Sequence, residues 1–515
     1  MTGWVIFALA IYMGVMLTIG VISAKKNKNA DDYFLGGRNL SGWVAALSAQ
    51  ASDMSGWLLM GLPGSIYALG TNQAWIAIGL FLGTVANWIL VSGRLRRYTI
   101  KAGNAMTIPE YLSNRFRDEK KMLMGISAIV MVIFFLVYTA SSFAAGAKLF
   151  VSITDMDYHI ALLVGAGVIL LYTLFGGFLA VCETDFIQGL MMLVAILAVP
   201  IVAVAVMGTG NIVPNLVDSG LAVDASDYLN IFKDADGNPI SMIDVLSQLA
   251  WGLGYCGMPH ILVRFMAVKD EKELGKSKKI AIVWVLLSLA VACIIGVIGR
   301  AYLFPTVLDS TAGAHENVFI EMIKKLFMDD VHIPFIGGLF LCGILAAIMS
   351  TADSQLLVSS SSIAKDLFSG VLFKNMNEKK MMLVSRITVF FVAVIAFVIA
   401  WNPNSSVMGL VSNAWAGLGS AFGPTIFMSL YWKRTNKYGA FAGMFSGALT
   451  VIIWDYIKLV TVDGAKVTLG AHTGIYSLLI GFFVSLFFIV VVSLITPKVS
   501  DEIIKEFEDV KNGNV

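Results

Sequence analysis

Runs of about twenty apolar residues recur from one end of this chain to the other, each long enough to cross roughly 30 Å of hydrocarbon as a helix. They fall near 4–24, 42–66, 73–93, 123–147, 158–175, 186–208, 243–266, 280–303, 334–362, 382–401, 407–431, 438–457 and 474–496. Backbone inside hydrocarbon must satisfy its own N–H and C=O groups, so such runs commit the chain to membrane-spanning helices. With 58% hydrophobic and 14% charged residues over 515 positions and a mean hydropathy of +0.81, the chain lies far from soluble composition. The expectation is an all-α polytopic membrane protein of thirteen transmembrane helices in one domain over 1–498, with a short polar tail at 499–515.

Basic residues test that count, because Lys and Arg gather on the cytoplasmic side. They occupy alternate connections: Lys25, Lys26, Lys28 and Arg38; Arg94 to Lys121; Arg264 to Lys279; Lys365 to Arg386; and Lys433, Arg434 and Lys437. The longest intervening connection, 209–242, carries Asp218, Asp224, Asp227, Asp234 and Asp236 against Lys233. The N-terminus is thus expected outside and the C-terminus inside, which requires an odd number of spans. Lys25 and Lys26 follow the first apolar run instead of preceding it, so that run reads as a retained helix and not a cleaved leader. The short loops point to a plasma membrane, in particular a bacterial inner membrane. The net charge of +2 reflects this sidedness and gives no reason to expect nucleic acid; the partners expected are a small solute, an ion and the lipid bilayer, with no obligate protein partner.

Two of the runs are built to break. In 46–64, ALSAQASDMSGWLLMGLPG, Asp53 sits among Ser48, Ser52, Ser55, Gly56 and Gly61. A carboxylate at membrane depth costs roughly 2.5–3.5 kcal/mol on insertion scales, so it marks a place that meets a cation or water. The run 243–266 contains Trp251-Gly-Leu-Gly-Tyr255-Cys256-Gly-Met258-Pro259-His260, where each Gly weakens a helix by about 1 kcal/mol and Pro by about 3. These are the second and seventh spans, five apart and opposite in direction, as two inverted five-helix repeats with their site at paired breaks require. Glycines that serve only close helix packing are the competing reading.

Further along, Ala347, Ser350 and Thr351 share one helical face, offering a carbonyl and two hydroxyls suited to a small hard cation, with Asp353 close by. Hydroxyls bonded only to their own helix are the alternative. Trp251 and Tyr255, at i and i+4, and Tyr138 in FFLVYTASS are aromatics with polar tips, fit to line a pocket for a partly apolar ligand. Arg38, Glu183 and Asp185 lie at span ends, where charges also simply cap or snorkel. Asp234-Ala-Asp236-Gly-Asn238 reads as a turn, since it lacks the spacing and closing Glu of a calcium loop. Cys182, Cys256, Cys293 and Cys342 have neither paired spacing nor a histidine cluster beside them. No phosphate loop, His-Glu-x-x-His or nucleophile elbow is present, so nothing points to an enzyme.

DDYFLGGRNLSGW, SAQASDMSGWLLMGLPG, WGLGYCGMPHILVRFMA and ILAAIMSTADSQLLVSSSSIAKDL resemble the sodium/solute symporter family over nearly the whole chain. The resemblance implies a LeuT-type five-plus-five inverted repeat, the first repeat at about 41–208 and the second at about 241–432, with extra spans near 4–24, 438–457 and 474–496. It implies import of a solute, L-proline by its nearest pattern, together with sodium ion. Carried over by position, sodium is held by the carbonyls of Ala51, Met54 and Ala347 and the hydroxyls of Ser350 and Thr351, with Asp53 and Asp185 as nearby carboxylates and Arg38 in coupling. Tyr138, Trp251, Tyr255 and Pro259 match the solute pocket, with Ser55 and Gly56 beside both ligands. Gln50, Cys256 and Met258 depart from the pattern, and Met258 places a thioether where a hydrogen-bonding side chain is expected. The rival readings are another small amino acid or solute, proton coupling through Asp53, or a sensor or channel without coupled transport.

Overall fold

The computed structural model describes residues 2–24, 30–175, 177–220, 224–309, 313–373, 376–462 and 464–514. Lys25, Lys26, Lys28 and Lys374 of the basic connections lie outside them. The described chain is helical except for one antiparallel hairpin, Val460–Val462 with Ala465–Val467, which corrects the all-α expectation locally. Val-Thr-Val is β-branched and the turn carries Gly464 at φ +80°, which is hairpin chemistry on a connection outside the helices.

Among the described residues, eight helices are long and apolar enough to cross a membrane: Gly3–Gly20, Thr71–Lys101, Met122–Thr154, Phe178–Met207, Glu271–Leu303, Pro334–Leu372, Lys380–Ile399 and Ser477–Ile495. Helices Tyr158–Phe175, Val407–Tyr431 and Lys437–Tyr456 occupy three more of the expected runs. Large apolar side chains such as Leu163, Ile201 and Phe487 are exposed on the outer faces, the arrangement lipid demands and water forbids. The helix containing Ser350 continues past Ser361 as a π-helix, Ser362–Leu372, well beyond the expected end at 362.

The remaining two runs are the broken ones. The first is helical over Gly42–Asp53, turns at Met54 (φ −87°, ψ 78°), and resumes as Trp57–Leu69. The second is helical over Met242–Leu249, tightens to a 3-10 helix over Ala250–Gly257, stops at Met258 (ψ 99°) and restarts with Pro259 at the first position of Pro259–Ala267, the place where proline's missing N–H is harmless. Its glycines are required by contact as well as by flexibility. A Cβ on Gly252 would stand 2.1 Å from the Gly79 carbonyl oxygen, and one on Gly83 would stand 2.2 Å from that of Gly252. The second broken run thus lies backbone against backbone on Thr71–Lys101.

Short elements tie the ends together. In the acidic connection, Asp234 Oδ1 accepts the amides of Asp236 (3.0 Å) and Asn238 (2.8 Å), forming the expected turn. On the connection preceding Pro334, Glu316 accepts Lys148 Nζ (2.7 Å), Ser406 Oγ (2.8 Å) and the amides of Val407 and Met408 (both 3.0 Å). Burial works against the Glu316 carboxylate, but the Lys148 ammonium and those amides outweigh it and hold the carboxyl below its ordinary range. The tail forms the amphipathic helix Asp501–Asn512, which buries Ile503, Phe507 and Val510 and pairs Glu506 with Arg117 (2.7 Å) and Asp509 with Lys101 (3.2 Å).

Candidate functional site

The break at Met54 creates the first half of the site. The Ser55 amide turns to the Asp53 carbonyl (3.1 Å) instead of reaching Ala51, so the Ala51 carbonyl loses its helical partner. It is met from across the molecule: Ser350 Oγ donates to it at 2.7 Å and Thr351 Oγ1 at 3.4 Å, while Ser350 also reaches the Ala347 carbonyl at 3.2 Å. Ala51, Ala347, Ser350 and Thr351 therefore converge as a cluster of hard oxygens, fully buried between two helices. Near the same break the Leu58 amide is directed to the Ser55 carbonyl (3.1 Å), and the Met54 side chain points the other way, where its sulfur accepts from Ser288 Oγ (3.3 Å).

The second half hangs on Asp53. Its Oδ2 accepts the Tyr255 hydroxyl at 2.7 Å, so a direct bond joins the two broken runs, and its carbonyl accepts Trp57 Nε1 at 2.9 Å. Asp53 Oδ1 has no partner among the described residues, and neither ring nitrogen of His260 has one. Buried polar atoms left open in this way mark where a polar ligand or water belongs. Tyr138 stands edge-on to His260 at 6.0 Å, and Trp415 edge-on to Tyr255 at 5.0 Å. Gly56 lets the break sit close, since a Cβ there would be 2.8 Å from Ala145 Cβ on the Tyr138 helix.

Trp251 joins this group through Trp415, whose ring stacks against it at 6.5 Å and whose Nε1 donates to the Trp251 carbonyl at 2.8 Å. Ala250–Gly257 is a 3-10 helix with three residues per turn, so Trp251 and Tyr255 do not keep the i, i+4 alignment of an α-helix. Trp251 also stacks on Tyr476 at 5.0 Å and lines a cavity of about 300 Å³ with Asp455 and Ser412. Met258 and Pro259 are buried at the break, and Pro259 also lines a small cavity with Met106, Phe178 and Ser361.

Arg264 is where the sequence reading has to be corrected. Its place near a run of lysines assigned it to a basic connection, yet it is 0% exposed, as are Asp185 and Asp353. Its guanidinium bonds Asp185 Oδ2 (3.2 Å), Ser48 Oγ (3.1 Å), Ser354 Oγ (2.6 Å) and the His260 carbonyl (2.6 Å). Asp185 also accepts from Ser48 (2.6 Å) and Ser52 (3.0 Å). Thus Asp185 lies one turn from the Ser350 face through Ser354 and Ser52, in a network that sequence reading missed; the signal was an arginine inside the apolar run HILVRFMA. Arg38 belongs elsewhere, bonding Asn104 Oδ1 (2.8 Å) and the carbonyls of Ala105 (2.7 Å) and Met266 (2.6 Å).

The sodium:solute symporter family model matches residues 33–447. The chain belongs to that family. The symporter is 44% identical over 495 residues to the high-affinity proline transporter PutP of Bacillus subtilis, covering 96% of this chain and 98% of that one. It is 43% identical to the sodium/proline symporter of Haemophilus influenzae, over 98% and 97% of the two chains. In fold it is similar to a Na+-coupled sialic acid symporter solved in a substrate-bound outward-open state, with a TM-score of 0.74 at 18% identity over 96% of this chain and 99% of that one. The symporter is a membrane-embedded transporter with sodium as its co-transported ion.

Proposed function

We propose that this symporter imports L-proline with sodium by alternating access, through thirteen spans of which the second to sixth and seventh to eleventh form inverted repeats. The N-terminus lies outside and the C-terminus in the cytoplasm, in agreement with the alternation of basic connections. The observation that carries the ion-coupled reading is the Ala51 carbonyl, freed by the helix break and met by Ser350 and Thr351. Sodium at this place replaces two O–H···O bonds with ion–oxygen contacts, the hydroxyl hydrogens turning away, and so holds the first broken run against the Ser350 helix. Met54 and Ala347 supply further carbonyls, and Asp53 and the Asp185 network supply negative charge.

Order at the first break passes to the second through the Asp53–Tyr255 bond. Sodium thereby prepares the solute pocket, a positive coupling typically worth about 1–3 kcal/mol. Tyr138 and Tyr255 offer aromatic faces to the proline ring, Ser55, Gly56, Met258 and Pro259 form its walls, and Trp251 guards the outer approach. The naming of relatives as proline transporters supports proline as the solute.

Uptake of labelled L-proline into proteoliposomes tests this reading. Accumulation driven by an inward sodium gradient, absent with a proton gradient alone and competed by proline analogues, is the expected result. Sodium-driven uptake of other amino acids but not proline would overturn the assignment of the solute, and no gradient-driven uptake of any solute would overturn transport.

A further inference from the structure

From the end of Thr71–Lys101 the chain returns across one face of the molecule as residues 102–107 and the short helix Ile108–Arg115. This segment is held from two sides. On one, Arg38, at the entry to the first broken run, takes Asn104 Oδ1 and the Ala105 carbonyl while its other arm takes the Met266 carbonyl at the end of the second. On the other, the π-helical extension of the Ser350 helix supplies Asp366 and Lys365: Thr107 Oγ1 donates to Asp366 Oδ1 at 2.7 Å, and Lys365 Nζ donates to Glu110 Oε2 at 2.8 Å. Thr107 simultaneously caps Ile108–Arg115 by accepting the Glu110 amide (3.2 Å), and Glu110 accepts the Met106 amide (2.7 Å).

Between these ties, Met106, Thr107 and Ile108 close over a cavity of about 20 Å³ whose other wall includes Pro259, Phe178 and Ser361. That is room for about one water. The segment therefore bridges the two broken runs and the Ser350 helix beside Pro259. The bond to Asp366 is incomplete: Asp366 is 1% exposed, yet its Oδ2 has no partner among the described residues. A buried carboxylate oxygen left open favours any arrangement that admits water.

We propose that Thr107–Asp366, supported by Lys365–Glu110, is the latch of the inner gate, and that its rupture swings residues 102–115 off the cavity to release solute and sodium. The π-helical winding of Ser362–Leu372 matters here, because it sets Lys365 and Asp366 toward this segment at the end of the helix that also carries Ser350 and Thr351. Sodium leaving that face and the latch opening are then movements of one helix. This inference rests on the alternating-access reading above.

The test is labelling of Ser361→Cys by a membrane-impermeant maleimide in inside-out and right-side-out vesicles, read against the parent with only its native cysteines. Thr107→Val and Asp366→Asn are each expected to speed labelling from the inner face at least about fivefold, and the double variant to add little to either alone. Thr107→Val keeps a β-branched side chain and removes only the hydroxyl, so it remains informative should Asp366→Asn fold poorly. Rates equal to the parent in both variants, acceleration only from the outer face, or fully additive effects would overturn the latch. Labelling requires no solute, so a failure of proline uptake leaves this measurement able to decide on its own.

Discussion

Single hydroxyl groups carry much of what this chain does. Ser350 and Thr351 both aim at the Ala51 carbonyl, Ser350 at the shorter distance, so they are expected to contribute unequally. Thr351→Ala is predicted to raise the sodium concentration for half-maximal uptake severalfold with the maximal rate largely kept, and Ser350→Ala to raise it further; their combination will not add, because they share one acceptor. Sodium titration of uptake checks both. Tyr255→Phe removes the hydroxyl bonded to Asp53 and is predicted to weaken the dependence of proline binding on sodium while leaving the ring in place, seen as a smaller ratio of proline affinities with and without sodium. Arg264→Gln leaves Asp185 buried without its guanidinium, and breaking such a pair from one side costs about 3–5 kcal/mol. Loss of folded protein in detergent is the expected outcome, with partial rescue in Arg264→Lys.

At the scale of elements, the interrupted runs were legible because Gly, Pro and Ser-Asp interruptions announce themselves against apolar sequence. The helix face that meets the Ala51 carbonyl was legible for a related reason, since the adjacent hydroxyls of Ser350 and Thr351 stand out there. What escaped was whatever depends on partners distant in sequence. Arg264 looked like one more base of a basic connection until Asp185, Ser48 and Ser354 were seen around it, and the contacts of Trp251 with Trp415 and Tyr476 join residues far apart in the chain. The Glu316 cluster is a third case, joining the connection before Pro334 to Lys148 and to the start of Val407–Tyr431. Because its carboxyl is held below the ordinary range, it contributes stability that is present above about pH 4.3 and is lost as pH falls through the lower folded value. Glu316→Gln is therefore predicted to melt at lower temperature than the parent at neutral pH, the gap narrowing only in acid; thermal melts at two pH values check it.

For the whole molecule, the parity of basic connections places the hairpin around Lys466 outside and the tail helix around Lys505 inside, with Ser477–Ile495 as the one crossing between them. Lys466→Cys is predicted to react with impermeant maleimide on intact cells and Lys505→Cys only in inside-out membranes; the same sidedness for both would refute the odd span count. The contact of Gly79 and Gly83 with Gly252 bears on a different question, namely which sequences could ever replace this one. Two peptide backbones that touch leave no volume for a side chain, so even one added methyl at Gly83 or Gly252 must push the second broken run off Thr71–Lys101. The seam thus fixes the distance between those two elements by main chain alone, and a change of solute pocket that keeps this fold has to be made in side chains elsewhere.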